Sequence, residues 1–261
     1  VKRHIIQYSG GVCSFFATER VIRKFGADAV VLLFADTLME DEDLYRFLED
    51  TAKYLGVPIT RIADGRNPWQ VFKDERFLGN TRVDPCSKIL KRELLEAWVL
   101  ANAAPNAIRY VGLDWTETDR VDRYRARMVA AGLEPEQVVA PMAEWRPYVD
   151  KVDMLVQLVK LGIKLPKLYT LGYQHNNCGG FCIKSGQAQF RLLLATMPER
   201  YAWHEVREQE LREFLGKDVA ILRDRRGGVT RPLTLKEFRL RVEAGRVHDR
   251  HDWGGCGCAI D

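Results

Sequence analysis

Apolar positions change period along the chain, and the changes predict strands and helices in turn. His4 to Tyr8 is a short β-rich run that meets Ser9-Gly10-Gly11, after which apolar residues recur at helical spacing through Ile22. Ala29 to Ala35 is an unbroken apolar run of seven residues. That suits a fully buried strand and falls far short of the ~20 residues a membrane span needs. Asp41 to Leu55 has helical periodicity through Leu44, Phe47, Leu48, Ala52 and Leu55, and Pro58 to Ile62 predicts a brief strand. Ser87 to Ala101 predicts a helix capped by Ser87, with Leu90, Leu94, Leu95, Trp98 and Val99 on its apolar side. Ile108 to Leu113 and Val138 to Pro141 predict two more strands. The alternation implies an α/β fold, a parallel twisted sheet flanked by helices, with ligands outside the carboxyl ends of its strands. After Glu144 the character changes. Val149 to Leu161 predicts a helix, Pro166 to Phe181 a polar loop, and Gly186 to Thr196 another helix; from Asp218 the tail is basic and punctuated by glycine. The expected parts are residues 1–145 and 146–261.

Composition narrows the class. At 261 residues, 46% hydrophobic and 29% charged, the chain has the balance of a soluble globular protein. Forty basic against thirty-six acidic residues give a net charge of +4, which permits nucleic-acid contact without demonstrating it. Local concentrations occur at Lys88, Lys91 and Arg92, and at Arg223, Arg225 and Arg226. A cytoplasmic setting with no membrane partner is the expectation. In that setting six unevenly spaced cysteines, at 13, 86, 178, 182, 256 and 258, point to metal or redox chemistry rather than a disulfide frame.

Two constellations carry candidate chemistry. Ser9-Gly10-Gly11-Val12-Cys13-Ser14 lies between a predicted strand and a predicted helix, where glycines let the backbone approach an anion and a helix N-terminus presents free N–H groups. As residues alone they also fit a tight strand–helix turn. The Walker pattern is absent. Asp36-Thr37 ends the second strand, where a carboxylate or hydroxyl would reach a nucleotide or its metal, and Gly112 to Glu117, followed by Arg120 and Arg123, ends a later one. The second constellation is Cys178-Gly179-Gly180-Phe181-Cys182, preceded by His175, Asn176 and Asn177. Paired thiols at this spacing suit one metal centre, and flanking glycines let backbone wrap it. Cys86 immediately precedes a predicted helix whose dipole would favour its thiolate, and Cys256 and Cys258 form a second pair in a Gly-rich terminus.

Taken in order, the Ser9–Ser14 loop, Phe34-Ala35-Asp36-Thr37, Pro85-Cys86-Ser87-Lys88 with Lys91, Gly112 with Glu117 and Arg120, Pro141 with Trp145, and Leu168-Tyr169 through Gly172-Tyr173 to Cys178 and Cys182 resemble the phosphoadenosine phosphosulfate (PAPS) reductase family. This family is a branch of the PP-loop, or N-type ATP pyrophosphatase, superfamily, and the resemblance covers roughly residues 4 to 205. It implies an adenine nucleotide over the Ser-Gly-Gly loop. Residues 1–145 would be the nucleotide-binding domain, and 146–261 a Cys-containing subdomain completing the site. Ser9, Gly10, Gly11, Val12, Cys13, Ser14, Thr37 and Gly112 would hold the nucleotide, and Asp36 would contact it or its Mg²⁺. Lys88, Lys91 and Arg120 would neutralise phosphate or sulfate. Cys86, Cys178 and Cys182, with Cys256 or Cys258, would hold a [4Fe-4S] cluster, zinc being the alternative.

The departures shape the expectation. Many PP-loop ATPases carry Asp at the position of Cys13. Cluster-bearing adenylylsulfate reductases have a Cys-Cys pair at Cys86-Ser87 and a Cys-x-x-Cys at Cys178 and Cys182. The reductase tail motif is replaced here by Gly255-Cys256-Gly257-Cys258. The resemblance therefore implies ATP-dependent adenylation with release of AMP and pyrophosphate, for sulfur transfer to an acceptor such as DNA or tRNA. Relatives in DNA phosphorothioation systems make DNA a candidate. A sulfur-donor protein would be the partner. One alternative is a PAPS or adenylylsulfate reductase with a tail thiolate and a thioredoxin-like partner. Another is a non-catalytic nucleotide-binding module with structural zinc. Trp115, Trp145 and Trp203 are candidates to stack on bases.

Overall fold

Each apolar run predicted as a strand takes its place in one parallel sheet. The computed structural model describes residues 3–79, 83–246 and 251–255. Strands β1 (His4–Gln7), β2 (Val30–Asp36), β3 (Ile59–Ala63), β4 (Ile108–Val111) and β5 (Val138–Val139) pair in the order β3-β2-β1-β4-β5. Ile6 lies opposite Leu32 and Tyr110, and Gln7 opposite Leu33 and Val111, so β1 and β4 end together beside the candidate loops while β2 runs three residues further. The α/β expectation is met. Small differences have local causes. Ala29 belongs to a 3-10 turn and β2 runs on to include Asp36. β5 stops after Val139 because Pro141, which has no N–H to donate, opens a short helix instead.

Helices cover both faces. On one, α1 (Val12–Phe25) and α2 (Glu42–Leu55) bury Phe15, Phe16, Leu44 and Phe47 against Ile6, Leu32 and Phe34. Asp41 caps α2 by accepting from Asp43 N at 3.0 Å, and Gly56 closes it in the left-handed region. Beyond α3 (Pro68–Asp74), the chain enters one continuous helical rod: α4 (Pro85–Ser87), a π turn (Lys88–Glu93) and α5 (Leu94–Asn102). Here the predicted cap is corrected. Ser87 lies within the rod at φ −70°, ψ −38° and makes no capping bond; the rod starts at Pro85, whose fixed φ suits a first helical position. Leu95 and Val99 of α5 pack on Ile5, Val31 and Leu33, the opposite sheet face. Val121, Tyr124 and Met128 of α6 (Thr118–Ala130) cover Val111 and Val138.

Past residue 145, α7 (Pro141–Glu144) leads to α8 (Lys151–Lys160), whose Met154 and Leu158 join the core under α1. One core thus runs across the expected division. The segment read as a polar loop contains α9 (Lys167–Thr170) and a 3-10 turn over Cys178–Gly180. Then α10 (Gln187–Thr196), α11 (Pro198–Leu215), the antiparallel pair β6 (Leu222–Asp224) and β7 (Arg231–Leu233), and α12 (Leu235–Glu243) enclose a second core. Phe181, Phe190, Tyr201 and Phe238 meet Trp69 and Phe72 of α3 there. No helix among the described residues is long and apolar enough to cross a membrane.

Candidate functional site

The sheet order reverses between β1 and β4, and the loops leaving those two strands form a cleft. Gly10 sits at φ +73°, a conformation that L side chains resist, and lets β1 turn into α1. Gly112 is required for a different reason: a Cβ there would lie 2.5 Å from both Cα and N of Ser14. That close approach seats the end of β4 against the first turn of α1. α1 carries Gly11 at its N-cap, a residue with no side chain to cap it. Its Val12 N–H donates to Tyr169 Oη at 3.2 Å, and Ser14 Oγ donates to the Gly11 carbonyl at 2.8 Å. Residues from the second part close the cleft, with Asn176 Nδ2 donating to the Gly10 carbonyl at 2.8 Å.

Ser9, Gly11, Cys13, Ser14 and Gly112 line this cleft together with three cations, Lys91, Arg120 and Lys151. Arg120 is ion-paired with Glu117, and Lys151 donates to the Gln174 carbonyl and lies over the Tyr169 ring. The space inside it is about 100 Å³. A helix N-terminus, two serine hydroxyls and three cations around one cleft favour an anionic ligand. Cys13 contributes no nucleophile at neutral pH. Burial, reinforced by Asp114 Oδ2 at 3.9 Å, outweighs Lys151 and pushes its thiol up to about 12.

Lys91 joins the cleft to the thiols. Its Nζ lies 3.8 Å from Cys178 Sγ. Burial alone would lower its pKa, but the charges of Cys178, Glu40, Cys86 and Cys182 outweigh burial and raise it. The π turn explains why Lys88, three residues earlier, does not share this position. Its wider i→i+5 winding advances each residue through a smaller angle than an α-helix, so three residues fall well short of a full turn. Lys88 instead faces outward, 62% exposed, and pairs with Glu93 at 3.6 Å.

Cys86, Cys178 and Cys182 come close enough for each to act on another's charge. The expected dipole-stabilised Cys86 thiolate is corrected: burial first, then the neighbouring thiols, push its pKa up. Burial likewise pushes Cys178 up to about 12, against the pull of Lys91. The Cys178 N–H donates to Glu40, whose other oxygen accepts from Thr37 Oγ1 at 2.9 Å. Phe181 stacks on His204 with centroids 4.1 Å apart, and His204 Nδ1 accepts from Trp69 Nε1 at 3.0 Å, fixing the loop to the second core. Thiol sulfur is the donor type that iron–sulfur and zinc centres use. Yet among the described residues no group of three or more His, Cys, Asp or Glu side chains is placed to hold a metal ion. Cys256 and Cys258 lie outside the described residues. The tail leading to them docks beside this loop: Gly255 N donates to the Lys184 carbonyl at 2.8 Å, two residues after Cys182.

Asp36 and Thr37 stand apart from the cleft lining. Asp36 is fully buried, ion-paired with Arg61, and accepts from Tyr45 Oη at 3.0 Å and Leu38 N at 2.8 Å. Lys151, Tyr169 and Asn176 line the cleft, although the sequence reading gave them no role. Tyr169 lay inside a motif used for the resemblance and Asn176 beside the cysteine pair, so a signal existed; Lys151 had none.

No family model matches the chain. It is similar to an uncharacterised protein of Methanocaldococcus jannaschii, 23% identical over 175 residues, which cover 67% of this chain and 35% of the relative. The match therefore spans about a third of that relative's length.

Proposed function

We propose that the chain is an ATP-dependent adenylating enzyme serving sulfur transfer, with a nucleic acid as acceptor. One observation carries the reading: a single half-buried lysine, Lys91, both lines the anion-favouring cleft and lies 3.8 Å from a cysteine sulfur. The acceptor oxygen attacks the α-phosphorus of ATP, the bond to the β-phosphate oxygen breaks, and pyrophosphate leaves. Lys91, Arg120 and Lys151 offset the charge that develops, and the Gly11–Ser14 backbone orients the phosphates. Mg²⁺ carried by the triphosphate supplies Lewis acidity, the Asp36 carboxylate being occupied by Arg61 and Tyr45. A sulfur nucleophile from a donor protein then displaces AMP from the adenylated acceptor. The cysteines are the candidate sulfur-handling groups, as a cluster or as thiols; those among the described residues do not close around one ion.

A second reading, reduction of PAPS or adenylylsulfate, rests on the same cleft, since Lys91 and Arg120 suit sulfate as well as phosphate. Nucleotide turnover by anaerobically purified, iron-replete protein separates the two. AMP and pyrophosphate from ATP–Mg²⁺, stimulated by DNA or tRNA, are the expected products. Sulfite from PAPS with ATP inert would overturn adenylation. Iron and zinc contents of the same preparation assign the metal.

A further inference from the structure

A second cavity lies between α5 and α6, on the sheet face they share, with a volume of about 530 Å³. Gln7, the last residue of β1, lines both this cavity and the cleft. Gln7 is 9% exposed; Nε2 donates to Tyr124 Oη, and Oε1 has no hydrogen-bond partner among the described residues. A buried carbonyl at a cavity wall is costly to leave unpaired and is satisfied by a ligand that brings an N–H. Leu95 and Met128 give the cavity apolar walls. Its cations are Lys88, Arg92 and Arg127. Arg92 forks onto Asp84 at 3.1 and 3.2 Å, Glu96 pairs with Arg109 at 3.0 Å, and Glu93 pairs with Lys88 at 3.6 Å. Arg127 lies over the Tyr124 ring, and burial followed by repulsion from Arg92 lowers its pKa against the pull of Glu96 and Asp84.

We infer that this cavity seats a nucleobase of the acceptor, its N–H edge on Gln7 Oε1, its faces on Leu95 and Met128, and its phosphate on Arg127 and Lys88. The shared Gln7 carries the base to the edge of the cleft where adenylation is proposed, and only that link rests on the proposed function. A free nucleotide and a base turned out of a strand present the same chemistry.

Photocrosslinking of the full chain separates these sources, using a single-stranded oligonucleotide bearing 5-iodouracil and, in parallel, 5-iodouridine monophosphate. The expected adduct is on Tyr124 or Met128, formed with the oligonucleotide; formation with the monophosphate alone keeps the cavity and makes the acceptor a free nucleotide. Arg127→Ala, and the exposed Lys88→Ala should the first fail to fold, lower oligonucleotide affinity about tenfold and flatten its salt dependence. Adducts confined to other sites, such as Trp115 or Trp203, overturn the inference, as does affinity within twofold of the parent in both variants. ATP binding is read separately by calorimetry. Loss there, with the Tyr124 or Met128 adduct retained, sinks adenylation and leaves the base site standing.

Discussion

Replacing Gly112 with alanine tests the geometry of the cleft directly. The added Cβ would fall 2.5 Å from Ser14 Cα and N and 2.8 Å from Ser14 Cβ. All are on or next to backbone, so no flexible side-chain end can give way. Restoring an ordinary contact requires the end of β4 and the first turn of α1 to separate by roughly 1 Å, overpacking that costs about 1–3 kcal/mol. In a chain of this size that is a fall of several degrees in melting temperature, at about 2–4 °C per kcal/mol. Misplacing a phosphate cradle by about 1 Å costs about a hundredfold in turnover. Gly11→Ala is the control. Its Cβ would meet Ser9 Oγ at 3.4 Å and Tyr169 Oη at 3.5 Å, ordinary contacts, and its effect on melting temperature is small. Differential scanning fluorimetry and calorimetric titration with ATP measure the pair. A Gly112→Ala protein that melts and binds like the parent, or a Gly11→Ala protein that is the more damaged, refutes the account of the cleft.

Glu208 gives a pH prediction. Burial raises its pKa from 4.5 to about 7, while it accepts from Ile221 N at 3.0 Å and Leu235 N at 2.5 Å. Because the folded pKa lies above the unfolded one, its contribution is full below about pH 4.5 and is lost as pH rises through 7, about 3 kcal/mol across the window. Melting temperature therefore declines over that range, and Glu208→Gln flattens the decline; an equally steep variant profile contradicts this. Lys91→Met weakens ATP binding by about tenfold or more, whereas Lys88→Met changes it less than twofold, measured by the same titration; equal effects would defeat the π-turn explanation. Asp36→Asn strands Arg61 and Tyr45 and lowers stability by about 1–3 kcal/mol, with ATP affinity little changed; a nucleotide defect without a stability loss would return Asp36 to the site.

What could be read from the sequence was what period and punctuation encode. The β2 run, the helical spacing of Leu44, Phe47 and Leu48, and the Ser-Gly-Gly turn each depend on neighbours a few residues away, and each is found in the fold. Lys91 and Lys88 looked equivalent because helical spacing assumes a uniform winding, and nothing in Lys88–Glu93 announces a π turn. Asp36 read as a ligand because it ends a strand. Its partner Arg61 comes from β3, and only the pairing of β2 with β3 brings the two together. Lys151 lines the cleft more than a hundred residues along the chain from the Ser9–Ser14 loop, a distance at which local pattern carries no information. Glu208 gave no signal either, since a carboxylate on a charged helix looks solvated until β6 and α12 close over it.

Lys91 has a thermodynamic consequence. An anion in the cleft and a negative charge on the Cys178 sulfur draw on one ammonium, and neither is screened there as it would be in water. Binding in the cleft therefore disfavours charge at the sulfur, and charge at the sulfur weakens binding in the cleft by the same factor. The two halves of the site are antagonists for a shared counter-ion, and emptying the cleft frees that counter-ion for the sulfur.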